Sequence, residues 1–134
     1  MKIIDNIYYR IYRLLMSIGE KDTPRYNAVL IFSILTILNF VTLIMVIGII
    51  TKKIIIIDLP KGYLFAIGLL IIAVNSYLIL GRKHYLDIEA RYKNEDKTTR
   101  RKNNLKAVLY VVLTILFLVL SLVYLNSHPI IKRR

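Results

Sequence analysis

Few side chains in this sequence are of the kinds that do chemistry, and their spacing narrows what the protein can be. His84, Asp87 and Arg91 recur at three- and four-residue intervals and therefore share a helix face. Such a face could hold an acid–base pair or offer two ligands to a metal, but a row of solvated ion pairs is the ordinary use of this spacing. Ser127 and His128 are adjacent, which points nucleophile and base apart, and no acid stands nearby in sequence to orient the histidine. No glycine-rich phosphate loop of either common type is present. Cysteine is absent, so neither a disulfide nor a thiolate metal site can form. The expectation is a protein that is not an enzyme, with no catalytic, cofactor-binding or metal-ligating residues and no cofactor.

The elements that must carry these residues are set by three runs without a charged side chain, at 28–50, 63–81 and 107–125. At about 1.5 Å rise per residue, each is long enough to cross a hydrocarbon core of about 30 Å as a helix. A helix that is apolar around its whole circumference suits lipid better than water. The expected fold is an all-α membrane protein: three transmembrane helices preceded by an amphipathic interfacial helix, with a cytoplasmic helical hairpin extending spans two and three. In domain terms, residues 1–22 form the interfacial helix and 23–134 the transmembrane unit, with the basic hairpin at 82–106.

In the first segment Ile4, Ile7, Ile11, Leu14 and Ile18 recur at helical spacing, while Lys2, Asn6, Arg10, Arg13 and Ser17 fall on the other side. That pattern predicts a helix lying in the headgroup plane, its isoleucines buried and Arg10 and Arg13 turned to water or phosphate. Arg10 and Arg13 also interrupt the unbroken apolar core that a cleavable signal peptide requires. Gly19 should end this helix, and Thr23-Pro24 should start the next, hydroxyl as cap and proline at the first helical position. Ile54–Ile57, closed by Pro60-Lys61-Gly62, reads as an interfacial turn. Tyr85, Ile88 and Tyr92 form one stripe, which predicts that span two runs on out of the membrane to about Lys93. Asn94 to Lys97 is then the turn, with Thr98 or Thr99 capping the helix that leads into span three. Asn126 to Pro129 should stop that helix.

The formal net charge is +12. In a soluble domain that would suggest nucleic acid; beside three spans it is better read as lysines and arginines that fix orientation and meet anionic headgroups. The amino-terminal segment and the hairpin, which share a side, carry fourteen of the twenty cations, and the other side carries six. Positive-inside bias therefore predicts a multi-pass protein of the cell inner (cytoplasmic) membrane, amino terminus and hairpin in the cytoplasm, carboxyl terminus outside. Arg10, Arg13, Arg91, Lys93, Arg100, Arg101 and Lys102 are the candidates for contact with anionic lipid or a partner protein.

No ionisable residue falls within a span, which argues against proton relays and ion-coupled transport. The uncharged polar residues there carry more information. Ser33, Thr36, Asn39, Asn75 and Thr114 form a candidate intramembrane polar layer, because a buried amide needs a partner. Ser33, Thr36, Asn75 and Thr114 lie about 7–12 Å from the same membrane face. Asn39 lies deeper, near mid-membrane, with no obvious partner at its level on spans two or three, which predicts a homo-oligomer with Asn39 at the interface. On span three, Ala107, Thr114 and Ser121 recur every seven residues, interleaved with Tyr110, Phe117 and Tyr124, a candidate helix-packing seam. The function expected is that of a small non-enzymatic polytopic membrane protein, an accessory or immunity-type subunit acting through protein–protein or protein–lipid contact. Its partners would be membrane lipids and either another membrane protein or further copies of itself. The alternative is a self-assembling, membrane-permeabilising effector of the holin-like or abortive-infection type.

Overall fold

In a computed structural model that describes residues 2–20, 22–51 and 61–127, the chain forms five α-helices and one 3-10 turn. They are α1 (Lys2–Ser17), α2 (Pro24–Thr51), α3 (Lys61–Leu80), α4 (His84–Lys93) and α5 (Lys97–Ser127), the 3-10 turn spanning Gly81–Lys83. Three of them, α2, α3 and α5, are long and apolar enough to cross a membrane. The Ile54–Ile57 turn and the segment after Ser127 lie outside the described residues.

Helix ends follow local chemistry. Gly19 adopts φ +94°, and the Glu20 and Gly19 N–H groups bond back to the carbonyls of Leu15 (3.1 Å) and Met16 (3.4 Å). This glycine-closed termination satisfies carbonyls that a free helix end would leave exposed. Proline begins α2 at Pro24, where its missing N–H costs nothing. The Thr23 hydroxyl accepts the Asn27 side-chain amide (3.4 Å) rather than a backbone N–H. The start of α5 departs from expectation. Asp96, not Thr98 or Thr99, is the cap, its carboxylate accepting the N–H groups of Thr98 (3.1 Å) and Thr99 (3.0 Å). A carboxylate at that position binds the orphan donors and also meets the positive end of the helix dipole.

Span two does not run unbroken to Lys93. It breaks at the 3-10 turn, where Lys83 takes the left-handed conformation (φ 57°, ψ 28°). The break redirects α4 so that Ile88, fully buried, and Tyr92 pack against α1.

Helix α2 is the central element. Both α3 and α5 pack along it, while α1, α4 and the first turns of α5 gather at one end, the polar end of the molecule. The main apolar core sits there, built from Ile7, Tyr8, Tyr9, Ala28, Val29, Phe32, Ile79, Ile88, Tyr92 and Ala107. The lower parts of the long helices bury little and display apolar side chains outward, as helices surrounded by lipid do.

Helix α1 is the main correction. Asp5, Asn6, Ile7, Tyr8 and Tyr9 are five consecutive buried residues. Five helical positions sweep more than a full turn, so α1 is enclosed on every side by protein from Asp5 to Tyr9. On either side of that turn apolar residues are left uncovered: Ile3 is 73% exposed, Leu14 62%, and Ile18, just past the helix, 71%. Periodicity alone cannot say whether an apolar face is covered by lipid or by the protein's own helices.

Candidate functional site

Two polar assemblies position the side chains that could act. The first is the polar end. Arg10 is turned inward, not to water: it forms an ion pair with Glu95, and its Nε donates to Asn6 Oδ1 (3.2 Å). The Asn6 amide donates to the Asn103 carbonyl (3.0 Å), and the Asn103 side chain donates to Glu95. Arg10, Asn6, Asn103 and Glu95 thus close a ring in which each polar group has a partner, and this lets them be buried at low cost. The Arg10 guanidinium also stands over Tyr9 (5.3 Å) and Tyr92 (5.7 Å), whose rings stack at 5.3 Å. The Tyr92 hydroxyl donates to the Lys2 carbonyl (3.0 Å). Burial, reinforced by the charge of Asp5, raises the Tyr92 phenol above its ordinary range.

Next to this ring, the face that carries His84, Asp87 and Arg91 meets a residue that sequence spacing did not single out. Asp5 of α1 accepts Arg91 at 3.2 Å, and its other oxygen lies 3.5 Å from His84 Nε2. His84 Nδ1 is 3.9 Å from Asp87. A third pairing, Arg25 with Glu89 at 2.8 and 3.2 Å, joins α2 to α4, and the Arg25 guanidinium covers the Tyr85 ring at 4.7 Å. Among the described residues, no group of three or more His, Cys, Asp or Glu is arranged to hold a metal ion.

The seven cations singled out by sequence therefore divide. Arg10 and Arg91 face acids within the protein. Arg13, Lys93, Arg100, Arg101 and Lys102 are exposed, and none of their side chains pairs with a carboxylate among the described residues. Tyr85 and Tyr92 of the α4 stripe have ring faces covered by Arg25 and by Tyr9 and Arg10, respectively.

The second assembly lies along the long helices and is two clusters rather than one layer. Asn75 of α3 donates to Ser33 (3.2 Å) and Thr36 (3.4 Å) of α2. Asn39 of α2 donates to the Tyr110 hydroxyl (2.6 Å) and accepts the Thr114 hydroxyl (3.1 Å) of α5. Thr114 thus serves Asn39, not Asn75, and Asn39 is satisfied within one chain. Residue counting missed this because a tyrosine hydroxyl reaches more than a helical turn from its own Cα. The reason for expecting a second copy at Asn39 falls away.

The packing seam on α5 is half of what the heptad suggests. Ala107, Thr114 and Ser121 are buried and Tyr110 is half-buried, but Phe117 and Tyr124 are 55% and 46% exposed. Below the polar end α5 packs chiefly on α2. Small residues allow that close approach. Asp5, Asn6, Glu95 and Asn103 are the site residues that sequence reasoning missed. The one available signal was Asp5 and Asn6 standing between the apolar residues of α1.

No family model, curated protein or solved structure matches the chain.

Proposed function

We propose that this is a non-enzymatic, multi-pass protein of the cell inner membrane that acts by contact with lipid and with another membrane protein. In this reading the polar end and amino terminus lie in the cytoplasm and the carboxyl terminus outside. The observation that carries it is a segregation of charge. Asp5, Glu89 and Glu95 turn inward to Arg91, Arg25 and Arg10, while Arg13, Lys93, Arg100, Arg101 and Lys102 remain outside, exposed and unpaired with acid among the described residues. Three acids of the polar end are used internally, so its exposed lysines and arginines outnumber the exposed Asp22, Asp87 and Asp96, and a net basic exterior suits the anionic headgroups of the cytoplasmic leaflet or an acidic partner surface.

Assembly into a permeabilising pore is the weaker reading, since Asn39 has its partners at home and α1 is held by the protein. Induced expression in cells loaded with a membrane-potential dye separates the two. The accessory reading expects growth and an unchanged potential; prompt depolarisation would select the pore. Alkaline phosphatase fused after Leu125 should be active outside the cell, and activity only from fusions near Lys97 would reverse the orientation.

A further inference from the structure

Between the second half of α1 and the upper part of α5 runs an open groove of 510 Å³, within the range of about 300–1,000 Å³ typical of ligand sites. Its wall is apolar, formed by Leu14 of α1 and by Val108, Val111 and Val112 of α5. Leu14, Val108 and Val112 are each more than half exposed, so the wall lacks a cover from the chain itself. The groove is also lined by Arg13 beside Leu14 and by Arg100, which precedes the valines on α5. Arg10 also borders it, but Glu95 neutralises that charge. Two exposed guanidiniums without a carboxylate partner among the described residues remain, beside an apolar wall that continues into the uncharged run of α5.

We infer that this groove binds one anionic phospholipid, its phosphate held between Arg13 and Arg100 and an acyl chain laid along Val108, Val111 and Val112. An occupant must be negative at one end and apolar along its length, and planar guanidiniums bind phosphate through paired N–H donors. A zwitterionic lipid is a poorer match, because its own cation offsets the phosphate that the two arginines would bind. Along α5, Arg100 stands about two helical turns before Val108 on the side of the polar end, so the cation lies on the headgroup side of the valines. The inference deepens the proposed function by naming the lipid class and its seat, and it rests on the membrane reading.

The test reconstitutes the full chain in bilayers of phosphatidylcholine with a minor fraction of phosphatidylglycerol. The protein is then extracted in mild detergent, and the lipids retained on each chain are counted by native mass spectrometry. One phosphatidylglycerol per chain is expected, enriched over its share of the bilayer. Arg13→Gln with Arg100→Gln should lower that retention roughly tenfold or more. Val111→Trp, which fills the groove without touching charge, should lower it too. Lys97→Gln with Lys106→Gln removes the same charge from exposed residues that do not line the groove and should leave it intact. Equal loss in the lysine variant would overturn the site in favour of diffuse attraction, as would retention without headgroup preference, displacement by inorganic phosphate alone, or a second chain in place of lipid. Resistance of the protein to alkaline carbonate extraction is scored separately. Carbonate-soluble protein refutes the membrane reading and the site together, whereas carbonate-resistant protein with no retained phosphatidylglycerol refutes the site only.

Discussion

Arg10 and Glu95 stand 85 positions apart in sequence and form a part-buried ion pair that fastens the first helix to the turn between α4 and α5. Removing one member leaves the other charge buried without its partner, and Glu95 also accepts Asn103. Glu95→Ala should destabilise the folded protein by about 3 kcal/mol. Arg10→Met with Glu95→Leu should cost less than Glu95→Ala alone, since no charge is then stranded. Thermal unfolding in detergent of the single and double variants measures both. Equal melting of Glu95→Ala and the parent would show the pair to be solvent-screened.

Asn39 joins α2 to α5 through Tyr110 and Thr114. Asn39→Leu should cost about 0.6–2 kcal/mol, the range measured for interhelical hydrogen bonds in membranes. In this cysteine-free chain, Asn39→Cys should crosslink between copies no more readily than Cys at the outward-facing Phe40 or Leu43. A clear preference for position 39 on oxidation would reinstate the oligomer.

Lys83 sits in the left-handed region, which costs an L-residue about 1–2 kcal/mol. Lys83→Gly should raise the melting temperature modestly, the relief being partly offset by the greater freedom of glycine in the unfolded chain. Lys83→Val should lower it. The reverse order would mean that the α3–α4 kink is not retained.

Asp96 titrates below the ordinary carboxylate range of around pH 4, because Thr99 bonds to its charged form through side chain and backbone, with the Thr98 N–H adding to this. A lowered folded-state value places the stabilisation above the ordinary range and removes it as pH falls through the lowered one. Asp96→Asn keeps a cap but cannot titrate. The stability difference between parent and Asp96→Asn should therefore be flat at neutral pH and change only on acidification. A difference that varies between pH 6 and 8 would contradict the capping role.

The Tyr8 hydroxyl is buried and has no hydrogen-bond partner among the described residues. Burial raises its pKa above the ordinary phenol range, with Glu89 adding to the shift. Tyr8→Phe removes an uncompensated polar atom and keeps the ring, so stability should be unchanged or improved. A marked loss would reveal a partner for the hydroxyl.

The long helices were readable because lipid-length apolar runs have few other uses. Gly19 and Pro24 were readable because their backbone restrictions act locally. That Asn75 needs a partner at its own depth followed from the cost of a bare amide; of Ser33, Thr36 and Thr114, which share that depth, the first two supply it. What sequence could not give was how α1 is covered. Its isoleucine periodicity is the same whether it meets lipid or α2, α4 and α5, and the pairs that decide the matter, Arg10 with Glu95 and Asp5 with Arg91, join positions with no local relation. Side-chain reach hid the second half of the polar site along the long helices, because counting Cα positions inward from 28 and 107 placed Tyr110 about two helical turns from the level of Asn39.

The enclosure of α1 has a consequence for synthesis. Its polar residues find their partners at Arg91, Glu95 and Asn103, all of which leave the ribosome long after α1 itself. The first helix translated is therefore among the last to be seated, and until the start of α5 appears Asp5, Asn6 and Arg10 must stay hydrated. A chain stopped after α3 would carry an unlocked amino-terminal arm, so quality-control proteases acting on unfinished membrane proteins would find their handle at the end that was made first.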